Sequence, residues 1–226
     1  MTKAQRNSRR ILIWGKNMIN IRIELPDSCN FSDYFKFNYY PEDILNYFGY
    51  QLIKEELVLP KSQGQIDGLE NLKQRFRKSL PYITLDSEIA RREFLIAPVL
   101  IELVDYCQAQ LKVSYPLEVE PQLRGSLDYF LQARNNLLVI EAKDENLERG
   151  FKQLAVELIA LDKGREPAQN LLYGAVSIGK IWQFALLKRL DKEVKQDLNL
   201  YRVPNDLEYL MKILVAILTG VEERVE

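Results

Sequence analysis

The stretch Leu137-Leu138-Val139-Ile140-Glu141-Ala142-Lys143 decides how the rest of the chain is read. Leu137 and Val139 fall on one face of a strand and Leu138 and Ile140 on the other. A strand apolar on both faces is covered on both sides, which places it centrally in a sheet. Glu141 and Lys143 share a face, because side chains in a strand repeat every second residue. A further strand is predicted over residues 125–131, and Arg134, Asn135 and Asn136 read as the turn between the two. Antiparallel pairing about that turn brings Asp128 close to Glu141.

Working outward, residues 113–119 alternate Val113, Tyr115, Leu117 and Val119 with polar neighbours and predict a third strand. Before it, Asp86 or Ser87 can cap a long helix from Glu88 to about Gln110. That helix is apolar almost all round over residues 94–104. Pro98 inside it would cost about 3 kcal/mol, so a kink is expected. After the central strand, a helix from about Asn146 carries Leu147, Phe151, Leu154, Leu158 and Leu161 on one stripe. Residues 171–178 and 181–187 read as strands joined by a type II′ turn at Gly179-Lys180. Residues 188–197 are a charged stretch without strand pattern, read as solvated surface. Asn205 with Glu208 resembles a capping box opening a last helix to Thr219. The order α-β-β-β-α-β-β-α predicts an α/β (α+β) fold, a mixed central sheet flanked by helices.

The expected division is an N-terminal extension over residues 1–80 and a main domain over residues 81–226. Residues 1–23 hold Lys3, Arg6, Arg9, Arg10, Lys16 and Arg22 and no acid, a basic arm on an acidic remainder. Such an arm could touch phosphates or simply be solvated. A short strand is expected over residues 19–25 and a helix over residues 67–78, with Leu69, Leu72 and Phe76 on one face. Nine aromatics fall between Phe31 and Tyr50. They could stack on bases, but packing onto the main body is the stronger expectation, because bulky aromatics are mostly core.

Composition limits the chemistry. The 226 residues contain no histidine, which removes Ser-His-Asp and Cys-His nucleophiles and any imidazole base or metal ligand. Cys29 and Cys107 are too few for a disulfide framework and fit a reducing cytoplasm. The longest apolar runs, residues 94–104 and 210–221, are short and broken by Glu102 and Lys212, and no signal peptide is evident, so no membrane partner is expected. With 31 basic and 32 acidic residues the net charge is −1, which gives no support for nucleic-acid binding by the chain as a whole.

What remains is work by carboxylates, lysines and oxygen-bound metals. Asp128 and Glu141 held close together would repel. A divalent cation relieves that repulsion: Mg²⁺ (or Mn²⁺) takes one or two carboxylates and completes its shell with waters and substrate phosphate. The Ala142 carbonyl is a further ligand candidate. Lys143 beside the ion could orient an attacking water, with no imidazole needed. Glu193-Val194-Lys195 has the same bare spacing but lies in the charged stretch. The alternative for the first copy is a strand end with a surface Glu and Lys and a salt-bridged Asp.

Gly125-Ser126-Leu127-Asp128-Tyr129, the apolar strand into Glu141-Ala142-Lys143, and Gln153 on the next helix together resemble the PD-(D/E)XK nuclease superfamily. They are most similar to the nuclease domain at the N-terminus of type I restriction enzyme motor subunits and its stand-alone relatives. Glu88-x-x-x-Arg92-x-x-Leu95-Ile96-x-Pro98 looks like that group's first-helix pattern. Ser177-Ile178-Gly179-Lys180-Ile181-Trp182 resembles its late hairpin, with Ile178 where Asn is usual. The resemblance covers residues 86–190 and implies a restriction endonuclease-like core that hydrolyses DNA phosphodiesters with a bound metal. By this likeness Asp128 and Glu141 would be metal ligands, Lys143 the catalytic lysine, Glu88 an accessory acid, and Gln153 a residue orienting the site or the scissile phosphate. Glu88 equally suits a helix dipole, Arg92 a salt bridge to Glu88, and Gln153 an ordinary helix position. No Gly-x-x-x-x-Gly-Lys-Ser/Thr occurs and the length leaves no room for a helicase motor, so a nuclease domain without a motor is expected. A catalytically inactive module of the same fold, binding DNA or a protein, is the alternative. A symmetric homodimer would allow both strands to be cut, with residues 210–218 at its interface or packed on their own sheet.

Overall fold

The computed structural model describes residues 23–133, 136–142, 146–164 and 169–220. Two short helices come first, α1 (Phe31–Lys36) and α2 (Pro41–Tyr47), then strand β1 (Gln51–Glu55) and helix α3 (Leu69–Ser79). Helix α4 (Glu88–Arg91) runs through a π-helical turn, Arg92–Ile96, into α5 (Ala97–Cys107). Strands β2 (Gln110–Glu120), β3 (Leu123–Ala133) and β4 (Asn136–Ala142) follow, then α6 (Leu147–Gly164). The chain closes with β5 (Leu171–Ser177), β6 (Ile181–Lys188), β7 (Glu193–Asp197), β8 (Tyr201–Arg202) and α7 (Leu207–Thr219).

These strands form one mixed sheet in the order β1-β7-β6-β5-β4-β3-β2, with β8 paired to β6. The expected mixed sheet with flanking helices is therefore present. β2, β3 and β4 are an antiparallel meander, and α6 is the crossover that returns the chain to β5, parallel to β4. β4 is central and buried on both faces. Leu138 and Ile140 lie in the core under α3, α5 and α7, and Val139 in the core under α1, α2 and α6. Helix α7 covers its own sheet, with Leu210, Ile213, Leu214, Ile217 and Leu218 all buried within the chain.

Several expectations are corrected. The long helix is not one regular helix around Pro98 but is interrupted just before it. The π turn, in which Ala97 N–H donates to Arg92 O, resets the ladder so that proline falls in the first turn of α5, where its missing N–H costs nothing. Residues 193–197 are not solvated surface but a sheet strand. β7 lies between β6 and β1, buries Val194, Gln196 and Asp197, and turns Lys195 to Glu55 of β1 at 2.6 Å. The last helix is entered from Asp206 rather than Asn205; the Asp206 carboxylate accepts the Arg202 N–H at 2.9 Å. The helix expected from Asp67 begins after Gly68, whose φ of 85° only glycine adopts freely, and it buries Leu69, Leu72 and Phe76 as expected. Residues 23–25 are not a strand. The rest of that expectation, and the basic arm, lie outside the described residues.

The aromatic segment packs on the main body. Phe31, Tyr34, Phe48 and Tyr50 are buried, and Tyr34 OH donates to Gln122 O at 2.8 Å. β1 completes one edge of the sheet. Among the described residues no helix is long and apolar enough to cross a membrane.

Candidate active site

Asp128 is placed by an irregularity in the β2–β3 ladder. The register pairs Val113 with Tyr129 and Tyr115 with Leu127, and between them Ser114 has a φ of 52°. The inward faces exchange at this point. Leu111 and Leu131 belong to the core under α5 and α7, whereas Tyr115, Leu117 and Leu127 belong to the core under α6. Asp128, at the exchange, meets groups from both layers.

From the α4–α5 layer comes Arg92. Its Nη1 lies 3.5 Å from Asp128 Oδ1 and 3.8 Å from Glu88 Oε1. Its Nε donates to Tyr129 OH at 3.3 Å, and the guanidinium lies over the Tyr129 ring at 5.1 Å. Burial opposes this charge, but Tyr129, Asp128 and Glu88 outweigh it and raise the Arg92 pKa. Arg92 therefore joins Glu88 to Asp128, and the expected i,i+4 pair is there. On the β4 side, Asp128 Oδ2 accepts the Ala142 N–H at 3.0 Å. The β3–β4 pairing has Tyr129 opposite Ile140, and the Ala142 hydrogen bond brings Asp128 to the strand end that carries Glu141.

From the α6 layer comes a residue that sequence reasoning missed. Glu141 shares the face of Val139 and is fully buried beneath α6, as is Glu157 of that helix. Glu157 has a pKa well above the carboxylate range. Burial is the main cause, the neighbouring charge of Glu141 the next, and Asp128 contributes further. Gln153, one turn earlier, is also buried and donates through Nε2 to Glu157 Oε1 at 2.9 Å. The signal for Glu157 was its place four residues after Gln153, as a lone charge in the apolar run Leu154–Leu161.

Asp128, Ala142, Glu141 and Gln153 are thus brought together with Glu157, and Glu88 reaches them through Arg92. Lys143 lies outside the described residues, as do Asp144 and Glu145. Gln153 Oε1 is buried with no hydrogen-bond partner among the described residues, whereas the Glu157 carboxyl meets Glu141 through a side-chain hydrogen bond. Buried acceptors without donors are what a cation, a water or a proton would complete. Asp128 and Glu141 are the carboxylates that could hold a cation. Among the described residues no group of three or more acidic or thiol side chains forms a metal-holding set by itself.

The turn between β5 and β6 adjoins the site. Ala142 is opposite Ser177, whose hydroxyl accepts the Gly179 N–H at 3.0 Å. Gly179 has a φ of 81°, and a Cβ there would lie 3.0 Å from both Arg91 Cβ and Leu95 Cδ1. The turn is thereby seated against the helix that carries Arg92. Trp182 packs in the core, fully buried.

No protein-family model matches the chain, and no match is found among the curated proteins.

Proposed function

We propose that the chain is a divalent-metal-dependent nuclease with a restriction endonuclease-like core, hydrolysing phosphodiester bonds of DNA. The observation that carries this reading is the hydrogen bond from Ala142 N–H to Asp128 at 3.0 Å, which seats one carboxylate against the strand end that bears another, Glu141. The strand order and the buried Glu157 and Gln153 beside that pair support it.

Asp128 and Glu141 would hold Mg²⁺ or Mn²⁺, with the Ala142 carbonyl as a further ligand. When bound, the ion would supply an acidified water and a charge that stabilises the pentacoordinate phosphate. Lys143, by the resemblance, orients the attacking water and steadies the developing negative charge. Glu88 acts through Arg92, which fixes the Asp128 carboxylate. Gln153 holds Glu157, which packs against Glu141. Gln153 is thus a positioning residue rather than one reaching the scissile phosphate.

Two observations favour a second reading, a catalytically inactive module of this fold that binds DNA or a protein. Arg92 already provides Asp128 with a positive partner, and Glu141 has no solvent exposure. Calorimetric titration with Mn²⁺ separates the two. The nuclease reading expects one saturable site near neutral pH that is lost in Glu141→Gln. Absence of any heat of binding in the wild type favours the inactive module.

A further inference from the structure

We propose that the cavity between the α1–α2 connection and the first turns of α6 binds a nucleotide unit of single-stranded nucleic acid and leads the strand to the Asp128–Glu141 site. The inference deepens the nuclease reading and rests on it for the strand's destination. The cavity, of about 600 Å³, is lined among others by Tyr39, Tyr40, Lys54, Arg149 and Lys152, a volume in the range of small-ligand sites.

Its electrostatics point to an anion. The two acids in the lining, Glu42 and Glu148, lie 3.6 and 4.0 Å from Lys54. That leaves Arg149 and Lys152, one turn apart on α6, with no carboxylate in ion-pair distance among the described residues. Lys152 is 5% exposed, and its ammonium donates to the backbone carbonyls of Phe37 and Tyr39. Burial first, and the positive charge of Arg149 second, hold Lys152 below the usual lysine pKa. A phosphate at this place would offset the positive charge of both groups.

A second feature points to a base. Most aromatics of the 31–50 segment are consumed by packing, but Tyr40 at the cavity's edge is 72% exposed. Tyr39 is tied by its hydroxyl to Glu24 O at 3.1 Å. An exposed ring next to cations that no carboxylate among the described residues neutralises is the pairing that single-strand sites use: a base on an aromatic face and the backbone on basic groups.

The third feature is direction. Arg149, Gln153 and Glu157 stand at i, i+4 and i+8 on α6 and share one row of the helix. At 1.5 Å per residue Arg149 lies roughly 6 Å along the axis from Gln153 and roughly 12 Å from Glu157. A strand phosphate on Arg149 is therefore one or two nucleotides from the carboxylates.

The test uses the full chain in EDTA, with fluorescence anisotropy of a fluorescein-labelled oligothymidylate of about a dozen nucleotides. Tyr40→Ala and Arg149→Ala, both at exposed positions, should each weaken binding about tenfold or more with unchanged thermal midpoints. Arg149→Ala should also reduce the slope of log K against log salt by about 0.7. Binding equal to wild type in both variants, or no binding by the wild type, overturns the proposal. Competition by free dTMP as effective as the oligonucleotide overturns it too, since a free nucleotide would then be the ligand. DNA cleavage in Mg²⁺ is followed on the same preparations. Weakened oligonucleotide binding in the variants with no cleavage by the wild type sustains the pocket and removes the nuclease reading. Cleavage by the wild type with undiminished binding in the variants does the reverse.

Discussion

Asp128 carries two interactions of opposite consequence. Its Oδ2 accepts a backbone N–H of the neighbouring strand, which holds the carboxylate in place, and its Oδ1 faces Arg92. Asp128→Asn keeps an acceptor for the Ala142 N–H but removes the charge. We expect Mn²⁺ affinity, read by calorimetry, to fall about tenfold or more, with a thermal midpoint within a few degrees of wild type. An unchanged affinity would mean that Asp128 serves only Arg92. The placement of Asp128 beside the strand end that bears Glu141 was legible in the sequence, because strand periodicity and one turn determine it. Glu157 was not legible, because its role comes from the rotation of α6 against the sheet, and a glutamate in a helix ordinarily faces water. The role of Arg92 was half legible. Its spacing from Glu88 gave one partner, but Asp128, the other, is brought by tertiary packing.

At the scale of elements, the site depends on how the α4–α5 helix meets the late turn. The π turn Arg92–Ile96 absorbs the proline and delivers Arg92 to Asp128. From sequence, Pro98 promised a kink, because propensity reports that a regular helix fails there and not which irregularity replaces it. Gly179 makes the close approach on the other side. Gly179→Val places a branched side chain at positive φ against Arg91 and Leu95, and should cost about 2 kcal/mol or more, seen as a lowered midpoint in chemical denaturation. A cost near zero would show that the turn can withdraw from the helix. β7 was illegible for a related reason. Only Val194 is apolar among residues 193–197, and the strand is held by polar partners such as Lys195–Glu55, so the segment lacks the apolar pattern of a buried strand. Its place is set by partners remote in sequence, β1 and β6.

At the scale of the whole molecule, Asp162 joins segments far apart in the chain. Its carboxylate accepts from Tyr50 OH at 2.5 Å, Arg189 Nε at 2.6 Å and Lys192 Nζ at 2.7 Å. Burial works against the Asp162 charge, but the hydrogen bonds from Lys192, Tyr50 and Arg189 outweigh it and hold its pKa below the ordinary 3.8. The folded state thus binds this proton less tightly than the unfolded state does. The stability from Asp162 is complete above the unfolded value and is lost as pH falls through the folded one. Asp162→Asn leaves the buried Arg189 guanidinium without its counter-charge and should cost about 3 kcal/mol at neutral pH. In a series of melts it should also flatten the loss of stability below about pH 4. An unaltered acid limb would assign that loss to other carboxylates.

The proposed nuclease activity requires Asp128 and Glu141 to act with a divalent ion on a phosphodiester. The direct measurement is cleavage of end-labelled DNA, single-stranded and duplex, by wild type and Glu141→Gln at equal thermal stability, in Mg²⁺, in Mn²⁺ and in EDTA. We predict cleavage by the wild type in either metal, none in EDTA, and a loss of about a hundredfold or more in Glu141→Gln. Cleavage that survives EDTA, or that Glu141→Gln leaves at the wild-type rate, would contradict it, as would a folded wild type that cuts neither DNA in either metal.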